Sequence, residues 1–311
     1  MDAEELKQLG LRVRQRLEAA LAANNRAEAL RACELLAKEY VQTHKGERKL
    51  LEFEMEYIER IFRVEQAAIA ARIATAVEEG RDDEARALLR ERDRQHQLIH
   101  DQFIDIMARF YDYVGKVFGD QRLEGIIRHS GERQRQWFEK WESLLTEDFV
   151  RASVHLLKTH MGNLSVTEDT DKFTITQDPC GSGGRLMREG AYAGPDGLYR
   201  IETPQAMTFG KSGFPSYCAH CAVWNNIQCI EWFGHPQWSI DHPATPNDPC
   251  RIHIYKSPKQ IPACYYEQVR AHSASGRQTP TVRGDATEAS EQLGAQGSAP
   301  AEEGRNERTD G

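Results

Sequence analysis

The 311 residues carry 48 acidic against 40 basic side chains, a formal net charge of -8, with no lysine- or arginine-rich block, which argues against a nucleic-acid partner or any polyanion. The start Met1-Asp2-Ala3-Glu4-Glu5 is acidic without an apolar run, and nothing later approaches the roughly eighteen apolar residues of a membrane span. A soluble, cytosolic chain with no membrane partner is therefore expected, and its seven cysteines are read as free thiols or metal ligands in place of disulfides.

From Asp2 to about Leu157 apolar residues recur at three- and four-residue steps: Leu6, Leu9, Val13, Leu17, Leu21; then Leu50, Phe53, Tyr57, Ile61, Val64; then Phe103, Ile106, Phe110, Tyr113, Val117. These stripes predict amphipathic helices packing into a bundle, with the aromatic positions as core. Asn24-Asn25, Glu79-Gly80 and Gly119-Asp120 are the expected breaks. The run from Asn25 to His44 resembles the run from Gly80 to His100 at an offset of 55 to 56 residues, which suggests a duplicated helical hairpin. His44, His96, His100 and Asp101 are read as solvated or capping groups, since the Glu-x-x-His pairs of a di-iron bundle are missing. A further long helix carries Trp137, Trp141, Leu144, Leu145, Phe149, Ala152 and Leu156 past His155 to His160, with Gly162 as its cap.

Beyond it the pattern changes. Leu164–Glu168 and Lys172–Thr176 alternate apolar and polar residues around Asp169-Thr170-Asp171, a hairpin signal whose acidic cluster is best read as a solvated turn. Gln228–Phe233 and Arg251–Tyr255 are two more strand candidates. The expected fold class is α+β: a helical bundle over 1–150, a cysteine-rich metal-binding domain with an antiparallel sheet over 151–268, and a disordered tail over 269–311 that lacks large apolar residues.

Chemistry concentrates in the middle domain. Cys180 and Cys250 each close an Asp-Pro-Cys tripeptide, and Cys218-Ala219-His220-Cys221 lies between them. A Cys-x-x-Cys pair presents two thiolates from one turn of backbone, and two cysteines from distant loops can complete a tetrahedron around zinc, or iron. Burial as small apolar residues is the bland alternative. If all four thiolates bind, the metal is structural; if one position is left to water, with His242 or Glu231 nearby, the same ion can serve catalysis. In Cys180-Gly181-Ser182-Gly183-Gly184-Arg185 the glycines permit either close approach of backbone amides to an anionic ligand, with Arg185 beside it, or a tight turn that positions Cys180. His160 is a candidate proton shuttle, and His220 and His235 are further candidates for ligand or acid–base roles. Cys229 and Cys264 are read as buried or free.

Over residues 155–267 the order of strand, Pro-Cys-Gly loop, variable segment and Asp-Pro-Cys250-Arg-Ile-His-Ile resembles the small-molecule-binding domain named after vinyl reductase. That domain is shared with the aromatic-sensing regions of phenol- and xylene-responsive activators, and the aminothiazoline-carboxylate hydrolase family is similar in outline. The resemblance implies a zinc site with Cys180 as its first cysteine and Cys250 as its last. His242 stands where the sensors have their middle cysteine, Ser239 replaces their glutamate, and the Cys218–Cys221 pair has no counterpart there. Two readings result. One is a metal-dependent hydrolase or lyase of small-molecule catabolism acting on an aromatic or carboxylated substrate; the other is a non-catalytic ligand-binding, sensor or accessory module with a structural zinc held by four cysteines. Both expect a small-molecule ligand and a homodimer formed through the helical half.

Overall fold

The computed structural model describes residues 11–267, and the expected tail lies outside them. The chain divides into two compact units that part at residues 103 and 104. This division falls inside a helix and not near 150, so the helices after 104 belong with the sheet.

In the first unit, α1 is Val13–Ala22 and α2 is Arg26–Glu78; α3, Asp82–Phe118, starts in this unit and continues into the second. All three expected breaks are present, with positive φ at Asn24 (51°), Gly80 (71°) and Gly119 (79°). The first two turns have one hydrogen-bond pattern. The N–H of Asn25 donates to Ala20 O and that of Arg81 to Ala76 O, both at 2.8 Å, while Asn24 and Gly80 donate to Leu21 O and Val77 O at 3.1 Å. This is the paired bonding that ends a helix through a left-handed residue. The buried positions correspond as well, Ala20 with Ala76, Ala29 with Ala85 and Ala32 with Leu88, so the repeat extends to packing at a spacing of 56 residues. The apolar stripes behave otherwise. Leu50, Phe53, Tyr57, Ile61 and Val64 on α2, and Phe103, Ile106, Phe110, Tyr113 and Val117 on α3, are exposed and not core. A different face of α3, carrying Ile104, Ala108 and Tyr111, is buried.

In the second unit the helix expected to run through Trp137 and Leu156 is broken. α4, Asp120–Glu142, and α5, Thr146–Thr159, are separate, and the acidic Glu147 and Asp148 occupy the first turn of α5. His160 caps α5, and Met161 (φ 55°), not Gly162, takes the left-handed position after it. β1, Leu164–Glu168, and β2, Lys172–Gln177, form the expected hairpin. Asp169 Oδ1 accepts from the amides of Asp171 and Lys172 at 2.8 and 2.9 Å, and the Lys172 ammonium beside it holds its carboxyl down at about 2. The acidic cluster is thus a hydrogen-bonded turn, tied to the chain beyond Tyr255 by Lys256, which pairs with Glu168 at 2.8 Å and donates to Asp169 O at 2.7 Å.

The sheet is antiparallel in the order β1-β2-β6-β5, where β5 is Ser239–Asp241 and β6 is Cys250–Tyr255. β2 buries alternate residues, Phe173, Ile175 and Gln177, while β1 at the edge is largely exposed. A short helix α6, Gly183–Arg188, and a two-stranded ribbon of β3, Arg200–Ile201, and β4, Phe214–Pro215, follow the hairpin. Gln228–Phe233 is not a strand. From Ala219 to Phe233 the chain coils continuously as α7, Ala219–Ala222, a π-helical stretch Val223–Gln228, and α8, Cys229–Phe233. Six of the seven residues from Val223 to Cys229, all but Trp224, are buried there, which suits a coil packed on several sides better than an alternating strand. The core joins Ile175, Ile240, Ile252 and Ile254 of the sheet to Leu157 of α5 and Leu123 and Ile127 of α4. Each fully buried aliphatic side chain of this kind contributes roughly 1.5–3 kcal/mol.

Candidate functional site

The second unit contains a cavity of about 620 Å³ between the sheet, α4, α5 and the coil that begins at Ala219. Its lining includes Trp137, Phe138, Trp141, Leu156, Trp224 and Trp238 together with Cys180, Cys218, Cys221 and Cys250 and with His160, His220 and His242. The indole N–H groups of Trp224 and Trp238 are satisfied outward, by Ile127 O at 2.8 Å and Ser153 Oγ at 3.1 Å, so these rings offer hydrocarbon faces. Trp141 and Trp238 are stacked, 6.4 Å between centroids.

The four cysteines come from the loop before α6, the turn into α7, α7 itself and the start of β6. Glycine makes room for them. A Cβ at Gly183 would stand 2.6 Å from Cys218 Sγ, and one at Gly184 would stand 2.9 Å from the Cys180 Cβ. A Cβ at Gly181 would run into the backbone at His160 and Met161. The glycine run therefore packs thiols and a helix end together, which is the steric reading of its composition. Ser182, Gly183 and Gly184 line the cavity and Gly181 does not. Burial raises the Cys218, Cys221 and Cys250 thiols, Cys221 to about 12, and the charge that neighbouring cysteines would carry raises them further. Left to themselves these sulfurs stay protonated. A divalent cation is the partner that reverses the balance, because it favours the thiolate form that burial disfavours.

Two of the histidines, His242 and His220, are held neutral. His242 Nδ1 lies 2.9 Å from Pro243 O, which it reaches as donor, and its Nε2 is buried without a hydrogen-bond partner. Burial lowers this ring to about 3, helped by the nearby Lys211 charge. His220 Nδ1 donates to Tyr217 O, its Nε2 faces Cys221 Sγ at 3.4 Å, and burial lowers it to about 4. Each ring is held in the tautomer that leaves Nε2 with a lone pair, the form a metal takes. His160 Nδ1 lies 3.0 Å from Ser182 Oγ.

In kind, then, the donors fit a soft divalent ion: four thiols and the imidazole lone pairs of His220 and His242, the latter buried without a hydrogen-bond partner. In distance they do not yet enclose one, since among the described residues no three His, Cys, Asp or Glu side chains stand close enough to hold an ion. Compared with protein families, with curated proteins and with solved structures, the chain matches none.

Three candidates fall away from the cavity. Arg185 is paired with Asp105 and Glu189 at 2.5 and 2.7 Å and does not line it. Glu231 is half-exposed and bound to Arg128 at 2.8 Å on another face. His235 is paired with Glu142 at 2.9 Å. Cys229 is buried elsewhere, its thiol donating to Trp224 O at 3.1 Å, and Cys264 is exposed. In place of Arg185 the cavity has Arg188, one turn on, whose guanidinium donates to Cys180 O at 3.0 Å and joins no carboxylate among the described residues. Sequence reasoning misses Arg188 and the Trp224 and Trp238 walls. The three-residue step from Arg185 to Arg188 is visible in the sequence, but only packing tells which of the two faces the site.

Proposed function

We propose that this cavity is the active site of a metal-dependent enzyme, hydrolase or lyase in type, acting on a small aromatic or carboxylated molecule. The observation that supports it is the convergence of four cysteines and three histidines from separate segments on one aromatic-walled cavity. Cys180, Cys218, Cys221 and Cys250 are the candidate ligands, with His242 as the alternative to one of them, and zinc is the ion such a set favours, with iron as second choice. Bound there, the ion supplies a Lewis-acid centre. The chain's own residues supply the rest. The tryptophan walls hold an apolar ring and exclude water, Arg188 meets an anionic substituent, and His160, oriented by Ser182, takes up or delivers a proton.

The cavity also suits the second reading, a ligand-binding module whose metal is structural, because its tryptophan walls need no catalyst to hold a ring. Metal analysis of the purified chain decides first. Zinc or iron near one ion per chain, lost in Cys218→Ser and Cys250→Ser, is expected, and unchanged content in both variants would sink the proposal. X-ray absorption then separates the readings. A mixed sulfur and nitrogen or oxygen sphere favours the enzyme, and four sulfurs alone favour the module.

A further inference from the structure

Every residue of α2 from 41 to 61 is exposed, although the segment is rich in large apolar side chains. Leu50, Phe53, Tyr57, Ile61 and Val64 are between 45% and 61% exposed. At about 100° per residue the five lie in a strip roughly 80° wide along one side of the helix. A continuous strip of this kind marks a surface that is covered in the working protein.

The strip has an internal period and a charge pattern. Lys49-Leu50-x-x-Phe53-Glu54 recurs eleven residues later as Arg60-Ile61-x-x-Val64-Glu65. Lys49 and Arg60 form one margin of the strip, and Glu54 and Glu65 form the other. The Lys49 ammonium lies 5.5 Å from the Phe53 ring centre and the Arg60 guanidinium 4.8 Å from that of Tyr57, so the basic margin leans over the apolar surface. Among the described residues none of the four charges is in an ion pair within the chain.

We propose that the strip is covered by the same strip of a second copy, with the two α2 helices parallel and in register over residues 49–65. In a parallel pair opposite margins face each other. Lys49 then meets the partner's Glu54 and Arg60 the partner's Glu65, each five residues on, which is the spacing of charge pairs flanking a parallel two-helix seam. An antiparallel pair sets each margin against its own copy, Glu facing Glu and Lys facing Arg, and is disfavoured. The eleven-residue period is 3.67 residues per turn, so the seam runs almost straight with a slight right-handed coil. The axis is a two-fold parallel to the helix, and the surface is self-complementary as such an interface requires. None of this depends on the cavity's chemistry.

Light scattering of the full chain over a concentration series tests it. Twice the chain mass is expected, and Phe53→Glu/Ile61→Glu should raise the dissociation midpoint by about tenfold or more. Both side chains are exposed in the single chain, so the substitutions remove few contacts within it. Direction is tested by cross-linking in a Cys33→Ser/Cys264→Ser background, which removes the two exposed free thiols. There, Leu50→Cys alone should oxidise to a covalent dimer. A wild-type monomer at the highest concentration reached, a dimer unmoved by the double glutamate variant, or cross-linking confined to a mixture of Leu50→Cys with Val64→Cys overturns the proposal.

Discussion

Along α2 the side chains of Leu50, Phe53, Tyr57, Ile61 and Val64 face solvent, whereas in β2 and β6 Phe173, Ile175, Ile252 and Ile254 are buried. The periodicities are equally clean in both regions. Spacing determines which residues share a face, and it is silent on what covers that face. In the sheet the cover is the rest of the same chain; on α2 the described residues of the chain do not supply one.

The comparison can be sharpened by substitutions of unequal reach. Ile175→Ala, at a fully buried site on β2, should cost about 2–5 kcal/mol whatever the protein concentration, read from denaturant midpoints. A cost that varied with concentration would mean that the sheet core, too, depends on association. Smaller is the effect of acid on chelator-treated protein. The neutral His220 and His242 have folded values lowered to about 4 and about 3, against roughly 6.5 unfolded. The unfolded chain therefore binds the extra protons between these values, so their contribution is complete above about pH 6.5 and is lost as pH falls toward 4. We expect a loss of order 1–3 kcal/mol per ring over that window, and a flat profile would place both rings in contact with bulk water. Smallest is Glu231→Gln. It breaks the pair with Arg128 on an outer face, should change stability by less than about 1 kcal/mol, and should leave metal content untouched. Lost metal in that variant would return Glu231 to the site.

Much of this is legible in the sequence. The helix breaks are marked by Asn24, Gly80 and Gly119, residues that tolerate the left-handed backbone a sharp stop requires. The β1–β2 hairpin follows from alternation around Asp169; that Cys180, Cys218, Cys221 and Cys250 line one cavity agrees with their loop chemistry, while no three such side chains among the described residues stand close enough to hold an ion. What fails does so for physical reasons. Gln228–Phe233 reads as a strand because short apolar runs carry no decisive period. Arg185 stands out over Arg188 because it adjoins the glycines, yet α6 turns it toward Asp105 and Glu189. The stripes on α2 and α3 suggest a core because amphipathic faces usually have one within their own chain.

The π-helical stretch Val223–Gln228 has a consequence for how this chain can change length. A π turn holds an extra residue, and here it separates Cys218 and Cys221 from Gln228, whose amide donates to Arg128 O at 3.0 Å beside Gly131. Losing one residue in that stretch would restore an ordinary α-helical turn and leave the turns on either side nearly in phase, whereas gaining one would rotate everything after it by about 100° about the coil axis. With an insertion either the thiols or the α4 contact would lose its place. This stretch therefore tolerates loss of a single codon better than gain of one.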